Sequence, residues 1–255
     1  MKTSTFAPSP FYPFPDSLLP VMPLVSLHQS PAIGIWKMSE SWQDMLELLQ
    51  NKTMYAGEVQ KIQSGNRKCE WLSVRLLVKH LTSADTPVCY QANGAPFLYH
   101  NPYHISISHT KGYAAIILSQ YPHPGIDIEY RSERAWKLRR KFLSEKELAL
   151  FAPSHDECPA GDEKHPLQAI LHSANQSESK NAQPATLATI CWCAKETAFK
   201  ALQESAVDFI KHLHIQPFIL SEKGMLSVEE TKTNQRKTYH IHYQTTDDYI
   251  ITWKA

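Results

Sequence analysis

The chain has 255 residues, 26 Lys and Arg against 25 Asp and Glu, a formal net charge of +1, and 42% apolar residues. That is enough for one large domain or two smaller ones with a substantial core. The near-neutral balance lacks the basic excess of most nucleic-acid binders, and no segment approaches the ~20 apolar residues of a membrane span.

In chain order, the amino terminus is apolar but broken by Pro8, Pro10, Pro13, Pro15, Pro20 and Pro23. These prolines exclude a signal-peptide core and a regular helix, so residues 1–23 are predicted as an extended arm or tail of a cytoplasmic protein. Ala32 to Lys37 reads as a strand. Trp42, Met45, Leu46 and Leu49 fall at helical spacing behind a capping Ser41. A second helix runs through Arg67-Lys-Cys-Glu-Trp-Leu-Ser-Val-Arg75, with Trp71, Val74 and Val78 as its apolar stripe. Lys68, Arg75 and Lys79 lie on a different flank, ordinarily a solvated basic face. Strands are predicted around 88–92, 103–109 and 113–119.

Gly125-Ile-Asp-Ile-Glu129 alternates as a strand does, so Ile126 and Ile128 face one way and Asp127 and Glu129 the other. Helices follow from Arg139. From about 153 to 184 the chain is rich in Ser, Asn, Gln, Glu and Pro, with a short apolar patch at Leu167, Ile170 and Leu171; it reads as a long loop or insert. Trp192-Cys-Ala-Lys-Glu-Thr-Ala-Phe-Lys200 reads as a helix with Glu196 and Lys200 on one face. Strands are predicted around 211–219, 236–244 and 248–254. The element order of the first half thus recurs in the second without shared residue identities.

Taken singly, these stretches are ordinary. Asp-x-Glu on a strand is usually solvated, and a Glu-Lys pair four apart stabilises a helix by only about 0.2–0.5 kcal/mol. Together with Ser106-Ile-Ser-His-Thr110 they supply three carboxylates and a cation, the groups that a hard divalent ion and a phosphate need. Only eight glycines occur, with no Gly-x-Gly-x-x-Gly run and no Gly-Lys-Ser/Thr loop, so phosphates must be held by side chains and an ion. Ser108 and His109 point to opposite faces of a regular strand, and no Gly-x-Ser-x-Gly elbow is present, which argues against a serine nucleophile. Cys191 and Cys193 lie on different helix faces with no second pair to complete a zinc site, and are expected to be reduced core residues. His212-x-His214 and His240-x-His242 each share a strand face without a third ligand and are expected to be exposed strand positions.

In this order the three stretches resemble the motifs of 4'-phosphopantetheinyl transferases of the larger, surfactin-synthetase-activating type. Those motifs are a Ser-His strand end, a Gly-x-Asp-x-Glu strand and a Trp-x-x-Lys-Glu-x-x-x-Lys helix. Arg139-Arg-Lys-Phe-Leu-Ser-Glu-Lys-Glu147 is similar to the family's Phe-x-x-x-Glu helix pair, and the resemblance covers about residues 60–220. It implies an α+β fold, a pseudo-dimer of two similar α+β halves with the active site in the cleft between them. Residues 24–122 would form the half that binds coenzyme A phosphates, and residues 123–255 the half with the metal and catalytic residues.

The implied reaction is transfer of the phosphopantetheine arm of coenzyme A to a serine of an apo acyl or peptidyl carrier protein, releasing adenosine 3',5'-bisphosphate. By the resemblance, Asp127, Glu129 and Glu196 hold Mg2+. Glu196 is also the candidate base, directly or through a metal-bound water, and Asp127, Glu196 and Lys200 form the catalytic set. Lys195 and Lys200 answer phosphate charge, Ser108 and His109 contact coenzyme A phosphates, and Arg75, with Arg67 and Lys68, is assigned to the 3'-phosphate. One departure stands out: Gly94-Ala95-Pro96 occupies the place of the family's Gly-Lys-Pro, removing a cation that Arg67 or Lys68 would have to replace. In the family, the region of the insert lies near the carrier-docking site. The expected partners are coenzyme A and a carrier protein, with no nucleic acid and no membrane, for a monomeric enzyme. The rival readings are a metal-dependent phosphohydrolase or nuclease on the same carboxylates, and a degenerate, non-catalytic carrier-binding module.

Overall fold

The computed structural model describes residues 24–29, 31–149 and 182–255. The arm predicted at 1–23 lies outside them, as does the insert predicted at 153–184 except for its last three residues, which belong to a helix. The chain begins with β1 (Leu24–Gln29) and β2 (Ala32–Lys37), followed by α1 (Trp42–Glu47), α2 (Lys52–Gln60) and α3 (Gly65–Thr82). A small hairpin, β3 (Val88–Tyr90) and β4 (Pro96–Leu98), leads into β5 (His104–Thr110) and β6 (Tyr113–Ser119). The Ser41 and Ser64 side chains accept from the Asp44 and Arg67 backbone N–H groups and so start α1 and α3. A four-stranded antiparallel sheet, ordered β1-β2-β6-β5, packs one face on α3, burying Leu72, Leu76 and Leu77 against Trp36, Ile105 and Ile116.

The second part runs β7 (Gly125–Tyr130), α4 (Arg134–Leu138), a 3-10 turn (Arg139–Lys141), α5 (Glu145–Leu148), α6 (Ala182–Leu202) and α7 (Phe209–His212). It closes with β8 (Leu213–Ile215), β9 (Lys223–Glu230), β10 (Thr238–Thr245) and β11 (Tyr249–Lys254). These five strands form an antiparallel sheet, ordered β7-β11-β10-β9-β8, backed by α6. The fold is therefore mixed α+β, with every strand of one large sheet drawn from residues 24–119 and every strand of the other from 125–254.

Two expectations need correction. The strand predicted over 211–219 is a helical turn followed by the short β8, because Asp208 caps the Ile210 and Lys211 N–H groups and its own N–H donates to His212 Nδ1. His212 and His214 therefore do not share a strand face. The second strand of the C-terminal sheet's outer edge, β9, lies where no strand was predicted.

The sheets meet at β5 and β7. These edges form no backbone ladder; instead hydroxyls at alternating positions of β5 replace it. Ser106 Oγ accepts from the Ile126 N–H at 3.2 Å, Ser108 Oγ from the Ile128 N–H at 3.3 Å, and Thr110 Oγ1 from the Tyr130 N–H at 3.0 Å. The period of two in a strand puts all three on one face. Behind the seam, Ile33, Ile35 and Ile117 of the first sheet pack on Ile126, Ile128 and Ile251 of the second. Burying each such side chain contributes about 1.5–3 kcal/mol. Gly125 opens β7 where α6 crosses so closely that any Cβ would collide with the Thr197 carbonyl oxygen. No helix among the described residues is long and apolar enough to cross a membrane.

Candidate active site

A cleft of about 1070 Å³ opens between the β5 and α3 side of the molecule and the β7 and α6 side. Asp127, Glu129, Glu196 and Lys200 line one wall; Arg67, Arg75, Ser108 and His109 line the other. Alternation on β7 turns both Asp127 and Glu129 toward the cleft while Ile126 and Ile128 enter the core. On α6, Trp192, Glu196 and Lys200 recur every four residues and so share the facing stripe.

Asp127 is only 5% exposed. Its Oδ1 accepts from the Ser108 hydroxyl and from Lys200 Nζ, each at 2.8 Å, while its Oδ2 is buried without a hydrogen-bond partner. Lys200 Nζ also donates to the Ile126 carbonyl at 2.9 Å, so the cation is fixed beside the carboxylate. Glu129 accepts from the Thr110 hydroxyl at 3.1 Å on Oε2 and from the Trp192 indole N–H at 3.0 Å on Oε1. Burial, then the charge of Asp127, raises its pKa. Glu196 is pushed up to about 7 by burial first and by Asp127 next, against the pull of Lys200. Three carboxylates thus crowd a wall with one nearby lysine, an arrangement that raises the cost of ionising Glu196.

The donors suit a hard divalent ion: carboxylate oxygens only, one of them buried and unpartnered. Among the described residues no three His, Cys, Asp or Glu side chains already converge tightly enough to hold an ion. The wall presents the carboxylates without closing them around a centre.

The profile of the 4'-phosphopantetheinyl transferase superfamily matches residues 124–254, just over half of the 255-residue chain. The chain belongs to that superfamily. No curated protein gives a match. The family implies a transferase that handles phosphopantetheine, with coenzyme A and carrier proteins as the partners characteristic of the group. Asp127, Glu129, Lys195, Glu196 and Lys200 all fall within the matched residues, whereas Ser108, His109 and the α3 cations precede them.

Within this transferase the sequence-predicted residues separate. Arg75 lines the cleft, 5% exposed, its guanidinium 3.5 Å from the Trp71 ring centroid and donating to the Trp71 carbonyl at 3.0 Å. Arg67 lies 3.3 Å from His109 Nε2 and 3.1 Å from Glu70, whose carboxylate is also 3.6 Å from His109 Nδ1. Ser108 reaches the cleft with its proton given to Asp127 and a lone pair to Ile128, so it orients the carboxylate.

Lys68 and Lys195 are placed elsewhere. Lys68 lies one helical step from Arg67, and its Nζ sits 4.4 Å from the centroid of the Trp42 ring, away from the cleft. Lys79 donates to the Leu48 carbonyl, so the α3 cations form no common patch. Lys195, one step from Glu196, is fully buried and donates to the Phe142 carbonyl at 2.8 Å, Glu147 at 2.8 Å and the Phe209 carbonyl at 2.9 Å. Glu147 in turn caps α5 through Ser144 and accepts from the Ile215 N–H, making a satisfied internal network. Cys191 and Cys193 are free and buried in the core of α6.

Sequence reasoning missed Thr110, Trp192 and Trp71 as cleft partners. Thr110 continues the Ser106, Ser108 register, and Trp192 precedes Glu196 by one helical turn, so the spacing signals were present. Ala95 lines the cleft beside Gly94 and Pro96, placing the missing family lysine where a side chain would face the site. A second cavity of about 750 Å³ shares Glu129, Trp192, Glu196 and Phe199 with the first.

Proposed function

We propose that the protein is a phosphopantetheinyl transferase of the larger, surfactin-synthetase-activating type. It would move the 4'-phosphopantetheine arm of coenzyme A to a serine of an apo acyl or peptidyl carrier protein, with Mg2+ as its ion. The observation that carries this reading is the gathering of Asp127, Glu129, Glu196 and Lys200 on one cleft wall, within the residues that match the family. The two sheets, each backed by a long helix, are read as the halves of a pseudo-dimer, residues 24–122 and 123–255.

Asp127, Glu129 and Glu196 would hold the ion, all three lining the same cleft. Bound there, Mg2+ would supply charge neutralisation and orientation of the phosphates for in-line displacement. Lys200 sits beside Asp127 as a second positive charge for the phosphate being transferred. Glu196, lining the cleft beside Asp127, is the base that would accept the proton of the incoming serine, directly or through a water. The serine oxygen bonds to the phosphorus that carries the pantetheine arm as the bond from that phosphorus to the bisphosphate oxygen breaks. No covalent intermediate on the enzyme is required; positioning and electrostatics carry the step.

Across the cleft, Arg75 and Arg67 offer the donors for the 3'-phosphate, with His109 Nε2 accepting from the Arg67 guanidinium beside them. Arg75 suits it best, since its planar fork is already held flat on Trp71. The test is intact mass analysis of an apo carrier protein incubated with the enzyme, coenzyme A and Mg2+. A phosphopantetheine gain on the carrier serine supports the reading. Release of adenosine 3',5'-bisphosphate without carrier modification selects a hydrolase instead, and binding of carrier without either product selects a non-catalytic module.

A further inference from the structure

Glu129 differs from the other two cleft carboxylates in having each oxygen claimed by a separate donor, from opposite parts of the fold. Thr110, at the end of β5 in the first sheet, donates to Oε2 at 3.1 Å; Trp192, on α6 behind the second sheet, donates to Oε1 at 3.0 Å. Neither donor is free to turn away. The Thr110 oxygen is fixed by accepting the Tyr130 N–H at 3.0 Å, which leaves its proton for the carboxylate. The Trp192 ring packs between Phe142, at 5.1 Å between centroids, and Phe209, at 5.7 Å. A carboxylate has about two acceptor positions on each oxygen, so both oxygens keep one for a cation.

We propose that Thr110 and Trp192 are positioning residues that hold Glu129 in the orientation from which it binds the divalent ion. Thr110 belongs to the sheet seam as well, so correct seating of the first sheet on the second becomes a condition of ion affinity. The proposal rests on the reading of Glu129 as an ion ligand. Partners that orient a ligating group typically change metal affinity by about 10–100-fold when removed, and that is the effect assigned here to each donor.

The test uses the full chain with Mn2+ as the probe ion in the presence of coenzyme A, bound and free Mn2+ being counted by electron paramagnetic resonance. Thr110→Val keeps the side-chain shape without the donor, Thr110→Ser keeps the donor, and Trp192→Phe keeps a ring between Phe142 and Phe209 without the N–H. The expected result is Mn2+ affinity weakened by about 10–100-fold in Thr110→Val and in Trp192→Phe and close to wild type in Thr110→Ser. The Mg2+ concentration for half-maximal transfer should rise in the same two variants. Melting temperatures separate this from packing, since a purely structural role lowers stability without moving Mn2+ affinity in the folded fraction. If Thr110→Val fails to fold, Trp192→Phe decides alone, because it leaves the seam intact. Unchanged Mn2+ affinity in the folded donor-less variants, or equal weakening in Thr110→Ser and Thr110→Val, overturns the proposal. A wild-type protein that binds no Mn2+ with coenzyme A overturns the ligand reading of Glu129 and the proposal with it.

Discussion

At the scale of single residues, Glu196 concentrates the conflict between stability and chemistry. Its carboxyl is raised from an ordinary value of 4.5 to about 7 by burial and by Asp127, so the folded state binds its proton more tightly than the unfolded chain does. Ionising it therefore opposes folding: the cost is absent below about pH 4.5, grows between about 4.5 and 7, and is complete above that. Glu196→Gln should remove this cost. In the absence of divalent ions its melting temperature is expected to match wild type near pH 5 and exceed it near pH 8, while transfer falls on the order of 10²–10⁴-fold. A melting-temperature gap independent of pH would show that Glu196 is not the titrating group. Ala95 gives the converse case. It faces the cleft without a charge, so Ala95→Lys is expected to lower KM for coenzyme A several-fold with little change in kcat, measured by steady-state kinetics.

At the scale of elements, α6 carries two tasks on faces one residue apart. Trp192, Glu196 and Lys200 face the cleft, whereas Lys195 enters the network with Glu147, Phe142 and Phe209. Removing one partner of such a buried pair typically costs about 3–5 kcal/mol, because the other charge stays buried. Lys195→Met is therefore expected to lower the melting temperature markedly. Any folded fraction should keep wild-type KM for coenzyme A; a raised KM at unchanged stability would return Lys195 to the phosphate site. Gly125 makes a similar demand where β7 passes under α6. Gly125→Ala must push the Thr197 backbone away and should cost about 1–3 kcal/mol in denaturant unfolding.

These elements also show what a sequence makes legible. The strand period placed Asp127 and Glu129 on one face and the helical period placed Glu196 with Lys200, because each inference needs only local geometry. The destination of Lys68 and Lys195 depends on which residues of other elements lie opposite, Trp42 in one case and Glu147 in the other. Motif adjacency carried no such information. The strand expected near 211 gave way to a helical turn because the Asp208 cap competes locally with apolar patterning. Residues 223–230 pair as a strand although exposed and buried positions mix polar and apolar side chains, so cross-strand pairing with β10 decides their state.

At the scale of the whole molecule, the cleft exists because two sheets meet through side chains rather than through a continuous ladder. Ser106, Ser108 and Thr110 satisfy the β7 N–H groups, and two of the same hydroxyls donate to Asp127 and Glu129. Joining the sheets and aiming the carboxylates are therefore done by one set of atoms. The sequence displayed the three hydroxyls in alternation, but their dual use required knowing that β5 and β7 are neighbours, a contact formed across the boundary between the two sheets. Arg75, and Arg67 with its partner Glu70, stand across the cleft from the acidic wall, which suits a ligand that carries phosphate charge at more than one point.

The central claim is that Asp127, Glu129 and Glu196 grip one divalent ion to drive phosphopantetheine transfer. It is tested most directly by intact mass analysis of an apo carrier protein incubated with coenzyme A and either wild-type enzyme or Asp127→Ala, with Mg2+ and with excess EDTA. The account predicts a phosphopantetheine-modified carrier only with wild type and Mg2+. Full modification by folded Asp127→Ala, or by wild type in EDTA, would contradict it.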